Sequence, residues 1–156
     1  MARYVLEREQ FLPIPLERAW SFFSTPRNLA HITPPDMGFV IDESFDDAPM
    51  HEGQKIGYQV RPMLGIPVRW ITYIAQVKAP FAFVDMQLKG PYKRWWHVHE
   101  FEPVEGGVRM KDRVEYELPL GPLGALFHDW LVGPRLQRIF DFRYRTLERL
   151  FKESAL

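Results

Sequence analysis

The chain has 156 residues, the length of one ordinary domain. Twenty Lys and Arg balance twenty Asp and Glu, a neutrality that argues against a dedicated nucleic-acid binder, which carries a basic excess. Hydrophobic residues make up 46%, with 12 Phe, 6 Tyr and 5 Trp, which excludes a disordered chain; the absence of cysteine excludes disulfides, thiolate metal sites and a cysteine nucleophile.

Residues 1–10 alternate apolar with charged and contain no apolar h-region, so they read as a strand over 2–11 and not as a signal peptide. Pro15 opens a short helix over 16–23 and Pro26 a second over 27–31. Thr33-Pro34-Pro35 ends the pair, because a residue before proline avoids helical geometry. Strands are predicted at 38–43, 54–61, 66–79, 81–89, 93–102 and 107–118. Their connections, at 62–65, 79–80, 90–91 and 103–107, are short enough to require antiparallel neighbours. After the Gly- and Pro-rich stretch 119–124, Pro134 starts a helix that runs nearly to the end. Helices segregated onto one face of an antiparallel sheet make an α+β domain, here a single one over 1–156. The longest apolar stretch, 118–127, is broken by Pro119, Gly121, Pro122 and Gly124, so no membrane span is expected and the protein should be soluble and cytoplasmic.

Period-2 alternation assigns faces to three strands. In 107–118, Arg109, Lys111, Arg113, Glu115 and Glu117 point outward, leaving Val108, Met110, Asp112, Val114, Tyr116 and Leu118 inside. In 93–102 the inner face is Trp95, His97, His99 and Phe101; in 54–61 it is Ile56, Tyr58 and Val60. Strands 66–79 and 81–89 are apolar on both sides, and Asp85 and Gln87 cannot be placed. On the last helix Leu136, Ile139, Phe140, Leu147, Leu150 and Phe151 form one stripe about 120° wide. Arg143 lies in its middle, while Arg138, Arg145 and Arg149 lie opposite.

A cation at the centre of a core face needs an anion, since an unpaired buried charge costs several kcal/mol. Asp112 is the one definite inward acid. Closing the 103–107 hairpin puts it across from His97 or His99, according to a two-residue choice of register. Asp112, His97, His99 and Arg143 can therefore meet as a polar island in an aromatic interior. One reading is a buried structural pair with hydrogen-bonded histidines. The other is a cavity lining that orients the polar end of a ligand. A His beside an Asp can also serve as a general base, with Tyr116 or Tyr58 donating a proton. His97-x-His99 with Asp112 would supply three metal ligands, but the spacing constrains a site only loosely, and no metal or cofactor is expected. No serine lies in a nucleophile elbow. The stretch 118–133 is too apolar for a solvated loop and is expected to pack over the open end of the sheet, with Leu123, Phe127, Trp130 and Leu131 inward, either as a lid or as core.

Leu12-Pro13, Pro26-x-Asn28-Leu29, Ile32-Thr33-Pro34, Gly90-Pro91-Tyr92, Trp96-His97-x-His99-x-Phe101, Asp112-x-Val-x-Tyr116-x-Leu-Pro119 and Ile139-Phe140-x-x-Arg143 together resemble the SRPBCC superfamily, the START-like, polyketide cyclase/dehydrase-like ligand-binding proteins. The likeness covers essentially the whole chain. It implies a helix-grip fold: a curved antiparallel sheet of about seven strands wrapped around a long C-terminal helix, with two short helices after the first strand. It also implies a cavity for a hydrophobic small molecule such as a lipid, polyketide, quinone or aromatic compound. Members include carriers and enzymes, so fold does not fix activity, and the lack of cysteine removes the Rieske oxygenases. The expected function is binding or transport of such a ligand, without nucleic acid as a partner. Its walls would be Tyr58, Trp70, Trp95, Tyr116, Phe127 and Trp130, and its polar contacts Arg143, Asp112, His97 and His99. The alternative is a cyclase, dehydratase or hydrolase using His97 or His99 with Asp112. On the ligand-anchor reading, Arg143→Leu should weaken binding and leave folding intact.

Overall fold

The computed structural model describes residues 2–42, 45–62 and 65–154, with Glu153 and Ser154 described by backbone alone. Strand β1 is Tyr4–Leu12, followed by helix α1 (Leu16–Phe23) and two 3-10 helices, Pro26–Ile32 and Pro35–Met37. Strands β2 (Val40–Ile41), β3 (Lys55–Val60), β4 (Val68–Lys78), β5 (Ala82–Lys89), β6 (Arg94–Val104) and β7 (Gly107–Glu117) come next. The chain ends in α2 (Gly121–Phe127), a π-helical turn (His128–Val132) and α3 (Gly133–Ser154). Glu43, within the strand expected at 38–43, and residues 63–64 of the 62–65 connection lie outside the described residues. The seven strands form one curved antiparallel sheet in the order β1-β7-β6-β5-β4-β3-β2. Every neighbour except the β1–β7 pair is consecutive in sequence, as the short connections require. Among the described residues no helix is long and apolar enough to cross a membrane.

The inner faces of β3, β6 and β7 are the ones that alternation assigns: Ile56, Tyr58, Val60, Trp95, His97, His99, Phe101, Val108, Met110, Asp112, Val114 and Tyr116 are all buried. On α3, Leu136, Phe140, Arg143, Leu147 and Phe151 are buried against them. Leu150, at the margin of the stripe, is more exposed than its spacing suggests. Two apolar clusters result. One gathers Ile56, Tyr58, Trp70, Trp95, Val114, Leu136 and Phe140; the other gathers Leu12, Phe83, Phe101, Met110, Leu147 and Phe151. β1 is tied to α3 by buried Gln10, whose Nε2 donates to the Tyr144 carbonyl at 2.9 Å, and by Arg8, which reaches Asp141 at 2.7 Å.

The helix starts earlier than Pro134 implies. Proline has no N–H to donate and crowds the carbonyl four residues back, here that of Trp130. The chain accommodates it by widening into the π-helical turn, where the Gly133 N–H donates to the His128 carbonyl five residues back. This segment also departs from the expected inward packing. Gly124 and Val132 take the buried positions, and a Cβ on Gly124 would lie 2.3 Å from the Pro119 carbonyl. Leu123, Phe127 and Trp130 therefore turn outward, Trp130 being 73% exposed, and Leu131 is half-buried.

Candidate functional site

A polar belt runs between the two apolar clusters. It uses one or two successive inward positions on each element: His97 and His99 between Trp95 and Phe101, Asp112 between Val114 and Met110, and Arg143 between Phe140 and Leu147. β5 contributes Asp85, next to buried Phe83 on the same face. Register resolves the hairpin choice: His99 pairs with Asp112 across β6–β7, and Asp85 pairs with His97 across β5–β6. The side chains, however, bond diagonally. His97 Nε2 donates to Asp112 Oδ1 at 2.7 Å, and His99 Nε2 donates to Asp85 Oδ2 at 2.5 Å. Arg143 Nη2 donates to the same Asp112 oxygen at 3.1 Å, and its guanidinium lies over the rings of Phe23 and Phe140. The two imidazoles stack 3.7 Å apart. His99 Nδ1 and Arg143 Nε are buried without a hydrogen-bond partner.

Burial alone would raise both carboxyls, since it penalises the charged form. Arg143 and the imidazoles outweigh it, holding Asp112 far below the usual carboxylate range and Asp85 below it too. Both acids are therefore acceptors, which fixes the proton on Nε2 of each histidine. Burial pushes His99 down to about 4, helped by His97 and opposed by Asp85. At neutral pH His99 is an uncharged imidazole.

A cavity of about 200 Å³ separates the sheet from α3, with Tyr58, Trp70, Tyr92, Trp95, Leu136 and Phe140 among its walls. Asp85, His97, His99 and Arg143 reach its surface. Trp70 Nε1 donates to Thr72 Oγ1 at 3.1 Å, and the Tyr58 hydroxyl lies 3.2 Å from the same oxygen; burial raises the Tyr58 phenol. Tyr92 is fixed by Gln87, whose amide donates to the Tyr92 carbonyl at 2.7 Å and accepts from its N–H at 2.9 Å.

Six of the residues singled out from sequence line this cavity: Tyr58, Trp70, Trp95, His97, His99 and Arg143. Asp112 stands behind them, bonded to Arg143 and His97 and absent from the lining. Tyr116 packs on Tyr4 and Tyr92, and its hydroxyl lies 2.7 Å from His128 Nε2, also away from the lining. Phe127 and Trp130 lie outside it on the helix surface. Sequence reasoning missed Asp85, Thr72 and Tyr92. Asp85 was recoverable by pairing strand 81–89 onto the assigned inner face of β6 through the Gly90-Pro91 turn, rather than reading its own alternation.

No family model and no curated protein sequence matches this chain. Solved structures do. TTHA0849 from Thermus thermophilus is 18% identical, with a TM-score of 0.70 over 98% of this chain and 100% of that one. Ara h 8.0201 is 17% identical, with a TM-score of 0.58 over 94% and 98%. A Thalictrum norcoclaurine synthase point mutant, solved with a transition-state analogue, is 15% identical, with a TM-score of 0.62 over 95% and 96%. The chain has the SRPBCC, Bet v 1-type fold. In this helix-grip fold the sheet wraps the long helix, and the space between them is where the cavity of this chain lies.

Proposed function

We propose that the protein binds a mostly apolar small molecule, aromatic or acyl, in the cavity between sheet and α3. The supporting observation is the cavity itself: aromatic walls around a small set of fixed polar groups, the combination by which ligand sites gain affinity from apolar area and orientation from polar contacts. Tyr58, Trp70, Tyr92 and Trp95 supply the walls. Asp85, His97, His99 and Arg143 engage a hydroxyl, carbonyl or carboxylate on the ligand. The fold is consistent with this reading, since its neighbours include proteins of ligand-binding type. Native mass spectrometry of freshly purified protein tests it, with an adduct of one small molecule per chain expected. Titration with the apolar anion 8-anilinonaphthalene-1-sulfonate (ANS) is the second test. Saturable binding that is lost in Ile139→Trp, which fills the cavity from its half-buried rim, supports the reading; equal binding by the filled variant refutes it.

A second reading, acid–base catalysis, has an observation of its own. His97 donates from Nε2 to Asp112, which leaves Nδ1, 3.6 Å from Asp85 Oδ2, as the acceptor nitrogen of a residue that lines the cavity. That is how a carboxylate orients a general base. The norcoclaurine synthase neighbour shows that the fold hosts an enzyme. A bell-shaped rate profile that disappears in Asp112→Asn would support catalysis; tight binding without turnover would leave the carrier.

A further inference from the structure

Asp85, His97 and His99 converge so that one ligand atom from each lies within 4.8 Å of the others. We infer that this trio is a binding site for one first-row divalent cation, zinc being the simplest probe, with Asp112 as the outer carboxylate that orients His97. Imidazole and carboxylate donors suit such ions, and two histidines with one carboxylate leave positions open for a further ligand.

Three features support it. The first is the His97 tautomer. Its Nε2–H is committed to Asp112, so Nδ1 presents a lone pair toward Asp85 Oδ2, 3.6 Å away. Tetrahedral metal–ligand bonds of about 2.0–2.2 Å set donor atoms about 3.3–3.6 Å apart, so this pair is in place. A metal-bound histidine whose other nitrogen donates to a carboxylate is the usual outer-sphere arrangement. The second is the orphaned Nδ1 of buried His99. In the metal-free tautomer His99 Nε2–H donates to Asp85, leaving Nδ1 a bare lone pair 3.4 Å from Asp112 Oδ1, a repulsive contact. A cation on Nε2 moves that proton to Nδ1, which replaces the lone pair beside the Asp112 carboxylate with an N–H. The Asp85–His99 contact then opens by about 1 Å to admit the ion. The third is charge. Two carboxylates share one guanidinium in the belt, and that guanidinium bonds Asp112 rather than Asp85. Among the described residues only the two imidazoles lie within ion-pair distance of Asp85.

This inference does not rest on the apolar-ligand reading, since ANS binding by metal-free protein would stand if it failed. The test uses the full chain, stripped with EDTA and titrated with Zn(II) by calorimetry and with Co(II) by visible absorption. One ion per chain is expected, with a Co(II) band of low-coordinate intensity. Asp85→Ala and His99→Ala should weaken binding by about 100-fold or more, Asp112→Asn by about 10- to 100-fold, and His51→Ala, at the exposed Asp46–His51 pair, not at all. Ring ¹⁵N signals in the unaltered protein provide a readout independent of whether the variants fold: stoichiometric Zn(II) should shift His97 Nδ1 and His99 Nε2 and move the His99 proton to Nδ1. Ring signals unmoved by Zn(II), or undiminished affinity in a folded Asp85→Ala protein, would overturn it.

Discussion

Asp112 Oδ1 accepts from both His97 and Arg143, so truncating either donor acts through this carboxylate. The structure thereby revises the expectation that Arg143→Leu leaves folding intact. Removing the guanidinium strands a buried anion, which costs about 3–5 kcal/mol. Urea midpoints should show that loss in Arg143→Leu and most of it regained in Arg143→Leu/Asp112→Asn, where the amide oxygen still accepts from His97. The belt also sets an acid limit. His99 is depressed in the fold, so unfolding takes up a proton between the unfolded value of 6.5 and about 4. Its stabilising contribution is complete above about pH 6.5 and lost as pH falls through 4, amounting to about 3 kcal/mol at most. Asp112 and Asp85, also lowered, lose theirs at still lower pH. Thermal melts should decline from about pH 6.5 downward, and the upper part of that decline should be missing in His99→Phe.

At the scale of elements, the turn before α2 carries a local conflict that substitution can relieve. Leu120 has φ of +73° and its side chain is 66% exposed, so it loses little packing and gains backbone freedom when replaced by glycine. Leu120→Gly should raise the urea midpoint by an amount equivalent to about 1 kcal/mol. Gly107→Ala should do the opposite, because a Cβ there would lie 2.1 Å from the Leu12 carbonyl at the β1–β7 closure. Legibility in the sequence followed the same physics. β6, β7 and α3 separate a dry face from a wet one, and their periodicity exposed Asp112, His97, His99 and Arg143 without any structure. β4 and β5 carry apolar side chains on both faces and register shifts at Ile71/Thr72 and Ile74/Gln76, so Asp85 stayed hidden. The helix before Pro134 was hidden as well, since glycine and proline there read as loop, while a π-helical turn absorbs what proline disrupts. No periodicity could say that His97 would bond Asp112 while His99 bonds Asp85, because diagonal contact depends on strand twist and side-chain rotamers.

Across the whole molecule the belt divides the apolar interior into two clusters, and the cavity borders both, being lined by Trp95 and Leu136 of one and by Phe83 and Ile32 of the other. An occupant of that space should stiffen the contact between halves as well as fill it. Saturating ANS should raise the melting temperature, by about 2.7 kcal/mol of stabilisation at a hundred times its dissociation constant. Trp70 and Trp95 line the cavity and meet edge to face at 5.3 Å, so the same titration should change tryptophan emission, and Trp70→Phe should remove much of that signal.

The pairing of β1 with β7 sets Tyr4 beside Tyr116, and that closure has a consequence for biosynthesis. At ribosomal elongation rates of about 5–20 residues per second, β1 emerges roughly ten seconds before β7, the strand it pairs with. During that interval Leu6, Leu12 and the exposed Phe11 have no strand to lie against. The nascent chain thus carries an unpaired strand with one apolar face, and a circular permutant joining β1 directly after β7 would shorten the wait to a single hairpin.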